Sequence, residues 1–141
     1  MKVIQQDLLA VTHGICCQQV NCRGAFGKGL ALATRMKFPL IARAYFEKRD
    51  WKLRDCVFVE VKSGLYHALL AGQDQYGAGQ CFTDYTALES CLKQAKDFAD
   101  PLRLPLFLPF GIGCGLAGGD WRTVSAIIDR VCPDAFVCEI Q

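Results

Sequence analysis

The sequence predicts an α/β fold in a single domain, a mixed sheet covered by helices on both faces. Three observations carry this. Short β-prone runs alternate with amphipathic helical segments along the chain. Hydrophobic residues make up 52% of the sequence and charged residues only 21%, a balance that suits a compact core better than an extended binding module. The length of 141 residues is enough for one core and too short for two comfortable ones.

Taken in order, Lys2 to Gln5 and Gly14 to Val20 read as short strands, followed by the glycine-punctuated "NCRGAFGKG". Leu30 to Phe38 is a helical run that Pro39 stops or kinks, and helical spacing resumes from Leu40. Cys56 to Val61 and Leu65 to Ala71 are two strands joined as a hairpin through Lys62, Ser63 and Gly64. After the polar loop "GQDQYGAGQCF", a helix is predicted from near Thr83, with Tyr85, Leu88, Leu92, Ala95 and Ala99 on one buried face. The apolar run Leu104 to Phe110 reads as a central strand whose pairing is confined between Pro105 and Pro109. A second glycine stretch follows, "GIGCGLAGGDW", Gly111 to Trp121. Trp121, Val124, Ile128 and Val131 then mark a last helix, and "AFVCEI" a last strand.

Sixteen basic against fourteen acidic residues give a formal charge of +2, so no dedicated nucleic-acid surface is visible and any such contact has to be local. The amino-terminal stretch has one lysine, an acid at Asp7 and no long apolar run, which predicts a cytoplasmic protein without a membrane span. Nine cysteines with no CxxC spacing suggest neither a zinc ribbon nor a disulfide framework, so buried, reduced thiols and no metal are expected.

Both glycine stretches lead from a strand into a helix, the place where helix amino ends offer unpaired N–H groups and a missing Cβ lets a phosphate come close. Two such loops suggest a diphosphate gripped from both sides; the alternative is that the glycines only form turns and caps. "GCGLAG", Gly113 to Gly118, fits GxGxxG formally, which leaves a dinucleotide-dependent oxidoreductase as an alternative. The βαβ units that should follow such a fingerprint are nevertheless absent, since one helix and one strand remain. "GAFGKG" is not a P-loop, because Gly29 follows Lys28 and Cys22 stands where the first glycine belongs.

"DLL" at Asp7, "CCQQVNCRGAFGKGLALATRMKFP", "GQDQYG", "TDYTAL" and "GIGCGLAGGDW", in this order and spacing, resemble the macrodomain family over residues 1–141. More narrowly they resemble the branch of terminal ADP-ribose protein glycohydrolase and the phage and yeast ADP-ribose-1''-phosphate phosphatases. The resemblance implies a three-layer α/β/α sandwich with a mixed sheet and a cleft for ADP-ribose or an ADP-ribosylated molecule, in a monomer that needs no cofactor. It implies that Asp7 binds the adenine amino group beside the Leu8 backbone, and that Asn21 binds the distal ribose. Gly27, Lys28, Gly29 and Leu30 form the first loop against the distal ribose and diphosphate. Gly111, Ile112, Gly113, Cys114, Gly115, Leu116 and Ala117 form the second. For Asp7 the alternative is a turn or cap, and for Asn21 a loop residue bonded to its own backbone.

The resemblance implies hydrolysis of an ADP-ribose derivative, with a non-catalytic ADP-ribose reader as the alternative. The chain departs from the better understood enzymes of the branch. The loop before the third helical segment holds no lysine, Ala117 stands where those enzymes carry an aspartate, and Gln18 stands where some phosphatases carry a histidine. Asn21, Asp120 and Lys28 remain as catalytic candidates, with Asp74 behind them. For Asp120 a helix N-cap is the plainer role. Among the aromatics, Phe26 is expected to cover the ligand, and Tyr76 or Phe110 to stack on it.

Overall fold

The computed structural model describes residues 1–140 and forms a six-stranded sheet in the order β1-β6-β5-β2-β4-β3. The strands are β1 (Lys2–Gln5), β2 (Gly14–Gln19), β3 (Cys56–Lys62), β4 (Leu65–Leu70), β5 (Leu106–Pro109) and β6 (Phe136–Glu139). Every neighbouring pair is parallel except β3 with β4, which form an antiparallel hairpin. The sheet is therefore mixed.

Four helices complete the fold: α1 (Gly29–Lys37), α2 (Pro39–Glu47), α3 (Tyr85–Leu102) and α4 (Trp121–Val131). Alternation along each strand sends successive side chains to opposite faces. Ile15, Cys17, Ala68 and Leu70 thus meet Leu88, Leu92, Val124 and Ile128 of α3 and α4 on one face. Leu69, Val57 and Val59 meet Ile41 and Tyr45 of α2 on the other. This is the three-layer α/β/α sandwich that the motifs implied. Cys16, Cys17, Cys91, Cys132 and Cys138 are buried, and all nine thiols are free.

Three departures from the sequence expectation have a clear local cause. Helix α3 begins at Tyr85 because Asp84 caps it through Ala87 N–H, while Thr83 is spent on a bridge to Gln73. The prolines do not close off β5, because the Pro105 carbonyl accepts from Ile15 N–H and Phe110 N–H donates to the Cys138 carbonyl. Between β1 and β2 a 3₁₀ turn, Leu8–Ala10, is capped by Asp7, whose Oδ1 accepts from Leu9 N–H at 2.9 Å. No described helix is long and apolar enough to cross a membrane.

His67, on β4, is buried at 1% exposure against the Phe38 ring, and neither ring nitrogen has a partner. Burial, reinforced by the Lys37 charge, pushes its pKa from the ordinary 6.5 down to about 4. Between those values the unfolded chain binds a proton that the folded chain refuses, so stability is full above about pH 6.5 and falls towards pH 4. Urea unfolding across that window is expected to show a loss of up to about 3 kcal/mol from this residue. His67→Leu should lack that share of the pH dependence.

Candidate functional site

Because β1, β6, β5, β2 and β4 are mutually parallel, their carboxyl ends share one edge of the sheet. Asp7, the first glycine loop (20–28), the β4–α3 loop (71–84) and the second glycine loop (110–120) all leave from that edge, where open α/β sheets bind ligands. The two glycine loops follow β2 and β5, which are direct neighbours. Three helices also begin here. Asp84 caps α3 and Asp120 caps α4, each through a side-chain oxygen, whereas Lys28 at the N-cap of α1 makes no side-chain cap.

The first loop is held from beneath. Asn21, 8% exposed, donates from Nδ2 to the Ala25 carbonyl at 2.7 Å, and its Oδ1 accepts from Arg23 N–H, Ala25 N–H and the Tyr45 hydroxyl. Tyr45 is fully buried, also donates to the Asn21 carbonyl at 2.7 Å, and accepts from Gly24 N–H. The carboxamide thus has a single N–H left over. Phe26 does not cover the cleft as expected: it is 3% exposed and stacks on Tyr45 with centroids 4.9 Å apart. A loop with so many small residues needs one apolar anchor, and Phe26 is it. Gly27 and Gly29 face open space where a side chain would stand. Exposed Lys28 joins no ion pair among the described residues.

The second loop divides into two parts. Gly111 and Gly115 have open space at the missing Cβ. Gly118 and Gly119 are packed: a Cβ on the first would run into the Gln80 carbonyl oxygen, and on the second into the Gly113 carbonyl. The Thr83 hydroxyl donates to the Gly113 carbonyl at 2.5 Å, Gln19 donates to Thr83 at 3.0 Å, and the Ala117 carbonyl accepts from Phe82 N–H at 2.6 Å. Ile112 and Ala117 are buried, Leu116 is 60% exposed, and Phe110 is 44% exposed against Trp121. The β4–α3 loop is therefore a third wall, tied to the first loop as well by the Arg23–Asp74 ion pair at 2.9 Å. An open depression of about 450 Å³ lies between its residues Ala78 to Cys81 and Gly115, Leu116 and Gly118.

Gln19, Tyr45 and Thr83 hold these loops, and the sequence reading did not single them out. Gln19 and Thr83 are polar residues at element ends, a pattern too common to point to a site. Asp120 Oδ1 caps α4 by accepting from Arg122 N–H at 2.9 Å, and Asp120 N–H donates to the Tyr85 hydroxyl. Burial pushes the Cys114 thiol up to about 11, with the Asp120 charge adding to it, so it is a poor nucleophile at neutral pH. Among the described residues no three His, Cys, Asp or Glu side chains gather as a metal site would require.

A mixed sheet between two helical layers, with three loops walling its carboxyl edge, defines an α/β/α domain of the open-sheet class. No protein-family model and no curated protein matches the chain, but solved structures do. A Bacteroides thetaiotaomicron protein of unknown function is 27% identical, with a TM-score of 0.88 over 99% of this chain and 97% of that one. A macrodomain protein from Streptomyces coelicolor is 26% identical, with a TM-score of 0.81 over 99% of each chain. Thermosipho africanus DarTG, solved in complex with ADP-ribose, is 17% identical, with a TM-score of 0.80 over 99% of this chain and 41% of that one. The chain has the fold of these macrodomains.

The divided second loop makes a direct prediction. Gly118→Ala places a methyl against backbone at a φ of +74° and should destabilise the protein by about 2–4 kcal/mol in urea unfolding. Gly115→Ala, facing open space, should stay within about 0.5 kcal/mol of the parent.

Proposed function

We propose that this protein binds ADP-ribose across the carboxyl edge of the sheet and hydrolyses an ADP-ribose derivative, either ADP-ribose-1''-phosphate or an ADP-ribosyl adduct on protein or nucleic acid. The observation that carries the reading is the uncapped start of α1, with Gly27 and Gly29 open beside it, on the strand next to the one that leads to the open Gly111 and Gly115. Free N–H groups at a helix amino end suit an anion. Two bare backbones on neighbouring strands suit a diphosphate, and the ADP-ribose held by the Thermosipho relative contains one.

In this reading Gly29 and Leu30 N–H groups meet one phosphate, and the segment from Gly111 through Ile112, Gly113, Cys114, Gly115 and Leu116 to Ala117 meets the other. Asp7 keeps one carboxylate oxygen for the adenine amino group while the other caps the turn that contains Leu8. The spare N–H of Asn21 points the distal ribose, and the residue's larger task is to shape the loop. With ADP-ribose-1''-phosphate, water attacks phosphorus, the P–O bond to the distal ribose breaks, and ADP-ribose and inorganic phosphate leave. Lys28, the catalytic candidate with no other partner, offsets the charge of the departing phosphate. Asp120 serves as the α4 cap. The engagement of Asn21 and Asp120 in structure favours a second reading, an ADP-ribose reader without turnover.

Calorimetric titration with ADP-ribose, followed by phosphate release from ADP-ribose-1''-phosphate on the same preparation, separates the two. The hydrolase reading expects heat of binding and released phosphate, with Lys28→Ala lowering kcat/KM at least about tenfold at unchanged stability. Gly27→Ala should weaken ADP-ribose about tenfold by blocking the approach to the loop. Asn21→Ala should lose about 2 kcal/mol of stability along with binding, since it orphans groups of its own loop. Binding without turnover on phosphate, protein and nucleic-acid adducts selects the reader, and absence of binding heat overturns both.

A further inference from the structure

Helix α1 is fastened differently from the others. A surface helix is normally held by an apolar stripe pressed into the core, and α3 and α4 follow that rule with Leu88, Leu92, Val124 and Ile128. In α1 the one buried residue is polar: Thr34, at 0% exposure. Leu30 and Ala31 are only half-buried in its first turn, while Leu32 and Met36 stand exposed. Apolar contact is non-directional, and this little of it does not fix where the helix starts or which way that start points.

Polar side chains do so instead. Gln18, on β2 and 3% exposed, donates from Nε2 to the Thr34 hydroxyl at 3.0 Å, and that hydroxyl donates to the Leu30 carbonyl at 2.8 Å. At the far end of the helix, Lys37 Nζ donates to the Leu9 carbonyl at 2.7 Å, in the turn that Asp7 caps. Hydrogen bonds are directional, so the strand and the turn together dictate the position of α1 along its axis. For packing alone, two apolar side chains of the same shape would serve as well as Gln18 and Thr34.

The relay from Gln18 ends in the first turn of the helix. The Leu30 carbonyl belongs to the peptide unit that carries the Ala31 N–H, and this N–H, like those of Gly29 and Leu30, lies where a helix offers no internal partner. A hydroxyl bonded to the carbonyl polarises that peptide and strengthens its N–H as a donor.

We propose that Gln18 and Thr34 are positioning residues for an anion site at the start of α1: from beneath the helix, their hydrogen-bonded relay sets where the first-turn N–H groups point and how strongly they donate. The identity of the anion rests on the ADP-ribose reading, whereas the placement of the helix rests on the hydrogen bonds alone.

Calorimetry with ADP-ribose is the test, run beside urea unfolding and backbone hydrogen exchange on the full chain. Gln18→Met/Thr34→Val replaces both partners by apolar groups of similar shape, an exchange that leaves stability nearly unchanged. At a parental urea midpoint it is expected to bind ADP-ribose at least about tenfold more weakly, with amide exchange at least about tenfold faster in α1 and unchanged in α3 and α4. Thr34→Ser keeps the hydroxyl and should bind within about threefold of the parent. Ile128→Val, which loosens the opposite layer, should lower the urea midpoint and leave the affinity alone. Parental affinity in the double variant assigns the pair to packing and overturns the proposal, as does equal weakening by Ile128→Val. If the double variant does not fold, Thr34→Val is set against Thr34→Ser, and equal affinity in those two overturns the proposal. Absence of binding heat with the parent overturns the ADP-ribose reading instead; hydrogen exchange then decides the helix placement by itself, and unchanged exchange in α1 overturns it.

Discussion

Strand β2 lies in parallel register between β4 and β5, with Ile15 opposite both Tyr66 and Leu106, and the whole site depends on that pairing. Parallel strands deliver their exits to one edge, so the loops after β2, β4 and β5 become neighbours although they are far apart in sequence. An antiparallel β2 would send the first glycine loop to the opposite edge, where it would meet the β3–β4 turn. Parallel pairing also demands cover on both faces, which is why β2 is buried along almost its full length and why Cys16 and Cys17 serve there as small apolar residues.

Around that frame, the loops are held mostly by their neighbours. Gln19 at the end of β2 reaches Thr83, Thr83 reaches the second glycine loop, and Arg23 of the first loop reaches Asp74 of the β4–α3 loop. Each of the three walls is therefore tied to at least one other. The glycines divide the labour: those at the base of the second loop admit close backbone packing, and those at its rim leave room for a ligand. A backbone that is bare throughout in sequence is thus stiff in one half and accessible in the other.

Much of the architecture was legible because periodicity reports burial directly. The β3–β4 hairpin, the halt at Pro39 and the buried face of α3 all appear where spacing places them, and the ordered motifs marked the macrodomain fold. What spacing cannot report is which neighbour a residue meets. Phe26 in a glycine loop gave no sign that it would stack on Tyr45, nor Asn21 that its oxygen would be shared among three donors. The overall charge of +2 is silent for a different reason, since an average over the chain cannot see that Arg23 to Asp55 alone carries a net +6.

The Tyr45 hydroxyl, buried beneath the first loop and bonded to both the carbonyl and the side chain of Asn21, has a kinetic consequence. A loop already fixed from below loses little freedom when a ligand arrives, so the entropy usually spent on ordering a phosphate loop is spent during folding instead. Encounter with the cleft then needs no slow rearrangement of this wall. One buried phenol in the α2 layer thereby fixes the wall above it during folding.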